Sequence, residues 1–350
     1  MISVILPGYE RADAVLCALA ALAAQTYQDF EVVLVDDSDT SAVQDAVVDA
    51  PSNVHYMRSS PPRTGNFTAG RARNIGAANA QGQLLVFIDQ DVMLAPDALA
   101  HYARAYERHG DNVVILGIFH WLPPLDFTPA DVRESFLDIY ASAFGELQRF
   151  PYLPFTADRG MLGLDIRQAD FTDDVDAVVE DAALGAWSAN VGYPRNLFIA
   201  LGGFDEAINR HGGEDADLGL TAREYGARFL QYARIWGLHR WHPRNQAQNE
   251  KDVQANIDYI DRKHGIGRYA QAKKTMDARN WSDPRHYHRE VGGVLMQANN
   301  GDPTVWVCRE GHRLGLSKPT ALKRLGFTGQ EVLLIPPSSL AAYEVMGTVE

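Results

Sequence analysis

The sequence predicts an α/β fold built on a doubly wound, mostly parallel sheet. Two observations carry that expectation. Short apolar runs, Ser3-Val4-Ile5-Leu6, Phe30-Glu31-Val32-Val33-Leu34-Val35 and Leu84-Leu85-Val86-Phe87-Ile88, alternate with segments of helical periodicity. Near-continuous apolar strands in that rhythm belong to a parallel sheet covered on both faces. Acidic residues also collect where the runs stop, at Asp36-Asp37 and at Asp89-Gln90-Asp91. The carboxyl ends of strands in an open α/β sheet are where ligands bind.

The elements follow in order. The first strand ends at Pro7-Gly8-Tyr9, and an alanine-rich helix over 13–24 carries Val15, Leu16, Leu19 and Leu22 at helical spacing. A helix over 41–50 and a short strand over 54–57 follow the second strand. The segment 69–80 reads as a helix bearing Arg71, Arg73 and Asn74. Beyond the acidic pair come a helix over 96–109 and a strand over 113–118. From Trp121 to about Asp181 the pattern loosens into Pro, Asp and aromatic residues, with one helix over 129–148. An irregular insertion of that length is expected to act as a lid or binding wall.

Order resumes at Trp187-Ser188-Ala189-Asn190-Val191-Gly192-Tyr193. The helix expected over 214–225 has an acidic first turn, which suits the positive end of its dipole. A strand over 228–236 and a helix over 253–264 complete this part. Near Val291 the character changes. Thr304 to Cys308 and His312 to Leu314 flank Glu310-Gly311, a hairpin signal. A short helix (319–325), a strand (332–335) and the segment 338–343 follow. The expected division is a domain over 1–245 with 121–185 as its insertion, a helical linker over 246–290, and a small α+β module over 291–350.

Composition narrows the function. The net charge is −13 and the sequence pI about 5.3, which argues against nucleic acid and anionic membranes as partners. Only Cys17 and Cys308 are present, so neither a disulfide framework nor a zinc cluster is expected. No apolar run approaches membrane-span length and no signal-peptide pattern is visible, so a soluble, cytoplasmic protein is expected.

Four acidic or histidine clusters lie at strand ends or helix starts. The Asp89/Asp91 carboxylates repel each other unless a cation or donor lies between them. A hard divalent ion carrying a diphosphate suits them, although a solvated turn gives the same pattern. Asp91 and His242, with His239, are candidate metal ligands; a packed aromatic corner around Trp241 and Pro243 is the structural alternative. Glu214-Asp215, behind Gly212-Gly213, could supply a general base or merely complement a helix dipole. Asp36-Asp37 could hydrogen-bond a nucleoside or cap a turn. Arg71 and Arg73 could meet phosphate or a base, or lie on a solvated face. No Gly-x-Gly-x-x-Gly follows the first strand and no P-loop occurs, so a glycine cradle for phosphates is missing.

The ordered set Ser3-Val4-Ile5-Leu6-Pro7, Gln25 to Val32, Asp36-Asp37, Ala72-Arg73-Asn74-x-Gly76 and Asp89-x-Asp91 resembles the family-two nucleotide-sugar glycosyltransferases of the GT-A fold. Gly202-Gly203-Phe204-Asp205 through Gly213-Glu214-Asp215-x-Asp217-Leu218, then His239-x-x-His242, is similar to the carboxyl half of the β-1,4-galactosyltransferase group. The likeness spans about residues 1–265. It implies inverting, hexosyltransferase-type transfer from a nucleotide diphosphate sugar, UDP by family habit, with Mn²⁺ or Mg²⁺. Carried over by position, Pro7, Tyr9, Glu10, Asp36, Asp37, Arg73, Asn74, Asp89 and Gln90 would hold the donor. Asp91, His242 and His239 would bind the metal. Asp215 would be the base, with Glu214 beside it orienting the acceptor, and Trp187, Asn190 and Gly213 would face the acceptor: a glycan, a protein or a small molecule.

Three departures stand out. Pro-Gly-Tyr-Glu replaces the commoner Pro-x-Tyr-Asn, Asp36-Asp37-Ser38-Asp39 replaces Asp-Asp-Gly-Ser, and His211 stands where the galactosyltransferases carry an acceptor-stacking Trp. The tail resembles a short repeat-like module appended to cell-wall and phage proteins, which implies binding of a glycan, a partner or an identical subunit; a passive cap on the helix before it is the structural alternative. Two rival functions share the scaffold: a sugar nucleotidyltransferase, which wants a Gly-rich basic turn after the first strand, and a catalytically silent glycan-binding or structural platform.

Overall fold

Alternation along the strands decides which side each helix covers. In the computed structural model, Ile2, Val4 and Leu6 of β1 (Ile2–Gly8) share one buried cluster with Val32 and Leu34 of β2 (Phe30–Asp36) and with Val86 and Ile88 of β4 (Leu84–Ile88). Helices α1 (Ala12–Ala23), α2 (Ala42–Ala46) and α4 (Ala98–His109) feed Val15, Ala18, Leu22, Val43, Leu99 and Tyr102 into that cluster. Ile5 and Phe87 point the other way, as a two-residue repeat requires. On that side α3 (Ala69–Asn79) crosses so closely that a Cβ on Gly76 would lie 2.5 Å from Ile5 Cγ2. Phe87 there meets Phe198 and Phe204, ring centroids 5.1 and 5.3 Å apart. Both faces are covered, as a sheet of continuous apolar strands needs.

The structure describes residues 1–59, 68–122, 125–144, 155–157, 160–162, 172–179, 182–242, 246–265, 267, 294–298, 304–309, 312–316, 333–335 and 344–349. Within them, β3 (Val54–Arg58) pairs parallel to β2, β2 to β1, and β1 to β4. Four more strands come next in the chain: β5 (Val92–Leu94), β6 (Val113–Trp121) and, after α5 (Pro129–Phe144), the hairpin of β7 (Phe155–Ala157) with β8 (Gly160–Leu162). Beyond β9 (Val178–Val179), β10 (Asn190–Pro194) runs antiparallel between β4 and β6. Helices α6 (Arg195–Leu201) and α7 (Glu214–Tyr225) lead to β11 (Arg228–His239), parallel to β6. The order across the large sheet is β3-β2-β1-β4-β10-β6-β11-β5, with β9 also on β11.

The long helix α8 (Gln246–His264) begins well before the expected 253. Five strands, β12 (Val294–Ala298), β13 (Val305–Arg309), β14 (His312–Leu316), β15 (Leu333–Ile335) and β16 (Glu344–Val349), form a second sheet in the order β15-β12-β13-β14-β16. The hairpin expected around Glu310-Gly311 is β13–β14. The expected helix at 319–325 and the segment 338–343 lie outside the described residues. Two compact units result: residues 1–143 with 170–272, and residues 144–169 with 273–350. Among the described residues no helix is long and apolar enough to cross a membrane, and Cys17 is a buried free thiol.

Candidate active site

The short strand β5 assembles the first half of the site. It begins one residue after Asp91 and pairs antiparallel with the end of β11, placing Val92 opposite His239. The ladder continues past the strand, because the Arg240 N–H donates to the Asp91 carbonyl at 2.7 Å. Two residues far apart in sequence thus share one rung. His239 Nε2 comes to 3.4 Å from Asp91 Oδ1, and His242 Nε2 to 3.3 Å from Oδ2. Arg11 Nη1 lies 2.6 Å from Oδ2. Burial would raise the Asp91 pKa, but His239, Arg11 and His242 outweigh it and hold the carboxyl below its usual range.

These residues fit a divalent ion. One ligand atom from each of Asp91, His239 and His242 lies within 4.8 Å of the others. His239 Nδ1 is 3.0 Å from the Arg240 carbonyl, which can only accept; Nδ1 therefore carries the proton in the neutral ring. That tautomer turns the Nε2 lone pair towards Asp91, the arrangement in which a backbone carbonyl orients a metal-binding imidazole. Trp121 packs on His239 with ring centroids 3.8 Å apart and planes tilted by 35°, which restrains the imidazole. The rings packed on this histidine are Trp121 and Phe119 rather than the expected Trp241 and Pro243, the latter lying outside the described residues.

The second half of the site is built around Arg73, on α3. Its Nη2 meets Asp89 Oδ1 at 2.6 Å and its Nη1 meets Glu214 Oε1 at 2.9 Å, with the guanidinium 5.5 Å from the Phe204 ring centroid. Burial would lower the Arg73 pKa, but Asp89 and Glu214 raise it, so the group is a permanent cation. Glu214 and Asp215 open α7 behind Gly213, whose φ of 99° favours glycine. Burial, and then the Glu214 carboxylate, push the Asp215 carboxyl up to about 7; Arg73 opposes the shift. Asp215 is less deeply buried than Glu214, and its Oδ1 accepts the Ala216 N–H at 2.7 Å. An unbroken run of contacts and chain therefore joins Asp91 to Asp89, Arg73, Glu214 and Asp215.

Other expected donor residues lie around the same strand ends. The Tyr9 N–H donates to Gln90 Oε1 at 2.8 Å, tying the turn after Pro7 to the acidic segment. Glu10, at φ 54°, accepts the Asp39 and Thr40 N–H groups at 2.7 and 3.0 Å. Asp36 accepts the Tyr56 hydroxyl at 2.7 Å and the Ser38 N–H at 2.9 Å. Asp37 accepts the hydroxyls of Ser59 and Thr68. These carboxylates fasten the loops at the edge of β2, so the capped-turn reading of Asp36-Asp37 describes them in this structure.

Several expected ligand contacts take other roles here. Asn74 holds the loop after α6: Oδ1 accepts the Phe204 N–H and Nδ2 donates to the Phe204 carbonyl, both at 2.9 Å. Asn190 lies inside the sheet, accepting the Tyr102 hydroxyl at 2.8 Å and donating to the Ile118 carbonyl at 2.9 Å. Both ends of its amide serve the core, which corrects the expectation that it faces an acceptor. Gly213 faces α8, where a Cβ would lie 3.1 Å from Ile260 Cδ1. Trp187 packs near Phe119, with centroids 5.9 Å apart. Glu214, expected to orient an acceptor, is buried and turned to Arg73.

The sequence reading missed Arg11 and the α8 supports. Asn256 Nδ2 lies 3.2, 3.3 and 2.5 Å from the carbonyls of Arg210, His211 and Gly212, holding the loop that precedes Glu214. Lys263 Nζ bridges Asp205 and Asp217, 2.7 Å from each, and His264 Nε2 meets Asp217 at 2.8 Å. The basic run Arg262-Lys263-His264 was the one visible signal for that anchoring.

With the α/β fold and the geometry of the strand-end cluster described, comparison with known proteins shows what the chain is similar to. Residues 3–159, just under half of the chain, match the Glycosyl transferase family 2 model, so that stretch carries a domain of that family. Over 272 residues it is 29% identical to validoxylamine A glucosyltransferase of Streptomyces hygroscopicus, covering 75% of this chain and 61% of that one. An uncharacterised glycosyltransferase of Bacillus subtilis, YfnE, is 27% identical over 74% of this chain and 69% of its own. Hyaluronan synthase of Pasteurella multocida is 25% identical over 73% of this chain and 26% of its own. The chain thus spans about three fifths of the glucosyltransferase. Among solved structures, S. aureus TarS with UDP-GlcNAc aligns at TM-score 0.47 and 18% identity, covering 74% of this chain and 65% of that one. The mannosyltransferase PcManGT of Pyrobaculum calidifontis, with GDP-Man and Mn²⁺, aligns at 0.46 and 17%, covering 83% and 79%.

Proposed function

We propose that the protein is an inverting glycosyltransferase that moves a hexosyl group from a nucleoside diphosphate sugar to an acceptor hydroxyl, with a divalent ion at Asp91, His239 and His242. One observation carries this reading. A carboxylate held as an anion beside two imidazoles is joined, through Asp89 and the buried Arg73, to a carboxyl pushed up to about 7. The first suits a cation and the second suits proton abstraction near neutral pH. Relatives named as a glucosyltransferase and a hyaluronan synthase support hexosyl transfer. A catalytically silent platform would have no use for so perturbed a carboxyl.

The chemistry follows from the residues. Asp215 takes the proton of the acceptor hydroxyl, whose oxygen attacks the anomeric carbon. The bond from that carbon to the diphosphate breaks on the opposite side, and its electron pair leaves with the diphosphate oxygen. A bound divalent ion would neutralise charge on the departing diphosphate. With two imidazoles in the ligand set, Mn²⁺ suits the site better than Mg²⁺, which prefers oxygen ligands throughout. Arg73 keeps Glu214 and Asp89 in place, and Glu214 in turn keeps Asp215 basic enough to act.

A nucleotide-release assay across UDP- and GDP-sugars, run with Mn²⁺, Mg²⁺ or chelator, tests this reading. Release is expected with Mn²⁺, weaker with Mg²⁺, and lost on chelation or in Asp215→Asn. Release that ignores both the chelator and the Asp215 substitution would refute it.

A further inference from the structure

Among the described residues, three positively charged or protonatable side chains surround Asp91, and they are not equivalent. The two histidines can coordinate a cation through a lone pair; Arg11 cannot, because a guanidinium has no acceptor and does not lose its proton in proteins. Yet Arg11 Nη1 lies 2.6 Å from Oδ2, the same oxygen that His242 approaches at 3.3 Å. A divalent ion bound to that oxygen at about 2.2 Å would sit within roughly 5 Å of the guanidinium. Charges of like sign that close repel strongly in a partly desolvated site.

The backbone around Arg11 has little room to move. Its N–H donates to the Tyr9 carbonyl at 2.7 Å, and its carbonyl accepts the Ala14 and Val15 N–H groups in the first turn of α1, each at 3.1 Å. Tyr9 is fastened to Gln90. Relief must come from the long side chain, which is 28% exposed against 6% for Asp91, so it reaches from the buried carboxylate towards the surface. A guanidinium with several donors is suited to the paired oxygens of a phosphate.

We propose that Arg11 couples metal binding to diphosphate binding: it neutralises Asp91 before the ion arrives, opposes the ion when it comes alone, and moves onto the diphosphate when both are present. The inference rests on the metal-dependent donor reading above and adds the residue that links the two ligands. The coupling is thermodynamic and therefore reciprocal. Mn²⁺ binds better with a nucleoside diphosphate present, and the nucleotide better with Mn²⁺.

The test is titration of the full chain, native, Arg11→Gln and Arg11→Met, with Mn²⁺ alone by electron paramagnetic resonance. UDP and GDP are then titrated separately by calorimetry, with and without Mn²⁺. Arg11→Gln and Arg11→Met are expected to bind Mn²⁺ alone at least ~5-fold more tightly than native. They are expected to bind the nucleoside diphosphate in the presence of Mn²⁺ at least ~5-fold more weakly. Arg11→Met preserves the apolar stem should the glutamine variant fold poorly. Unchanged or weaker Mn²⁺ affinity in a folded variant would make Arg11 a structural tie and overturn the inference, while leaving the proposed reaction standing. A native protein that binds no Mn²⁺ at all would overturn the reaction's metal dependence and this inference together.

Discussion

Asp91 and Asp215 stand at the two ends of one run of contacts, both partly or wholly withdrawn from water, and their surroundings drive them apart. At Asp91, burial acts to raise the pKa, but His239, Arg11 and His242 together hold it low. At Asp215, burial acts in the same direction, the adjacent Glu214 adds to it, and Arg73 recovers only part, leaving the group at about 7. Burial thus has one sign at both positions, and the charge of the neighbours decides the outcome. The first carboxyl remains an anion able to hold a cation. The second can exchange a proton near neutrality. Arg73, between them, faces Asp89 on one side and Glu214 on the other.

The comparison can be broken at its proton-accepting end with the largest effect. Asp215→Asn should lower transfer by about 10²–10⁴-fold, the usual contribution of a positioned base, while Mn²⁺-dependent nucleotide binding measured by calorimetry stays as in the native protein. Breaking the middle should show as lost stability. Arg73→Met leaves Asp89 and Glu214 facing each other without a counter-charge, a loss of about 3–5 kcal/mol if it behaves as other broken buried pairs do. Denaturant melts would reveal this, and a melt unchanged from native would remove Arg73 from the account.

Breaking the cation end should have a smaller thermodynamic effect. Asp91→Asn should weaken Mn²⁺-supported nucleotide binding by at least ~10-fold in the same calorimetric experiment. The gentlest change sharpens the comparison. Because the base must be unprotonated, the transfer rate should rise with pH through about 7. Glu214→Gln removes a like charge beside Asp215, so the midpoint of the pH–rate curve should move to lower pH by about one unit. A midpoint that stays put, or moves up, would mean that Glu214 does not set the basicity of Asp215.

The contrast between the two ends also explains what the sequence could reveal. The strands β1, β2 and β4 were legible as buried apolar runs, and Asp91, His239 and His242 as chemistry-bearing residues at strand ends. Their meeting depends on β5, three residues long and following directly on Asp91, where the sequence reads as a turn leading into a helix. The antiparallel course of β10 was equally hidden, because a strand's own residues do not record its direction relative to neighbours far away in the chain, here β4 and β6. Asn74 and Asn190 were chosen by position in the sequence; which way an amide points is set by packing, and here Asn74 bonds the loop after α6 and Asn190 the sheet. Arg11 was missed for the opposite reason. It lies in a plain view stretch, Tyr9-Glu10-Arg11, and only the fold brings it to Asp91.

Mn²⁺ titration of the native protein, Asp91→Asn and Asp215→Asn, followed by electron paramagnetic resonance, tests the division of labour most directly. Native and Asp215→Asn are expected to bind the ion alike and Asp91→Asn at least ~10-fold more weakly, although both variants transfer sugar more slowly than native. Native-like Mn²⁺ binding by Asp91→Asn, or loss of the ion from Asp215→Asn, would contradict that division.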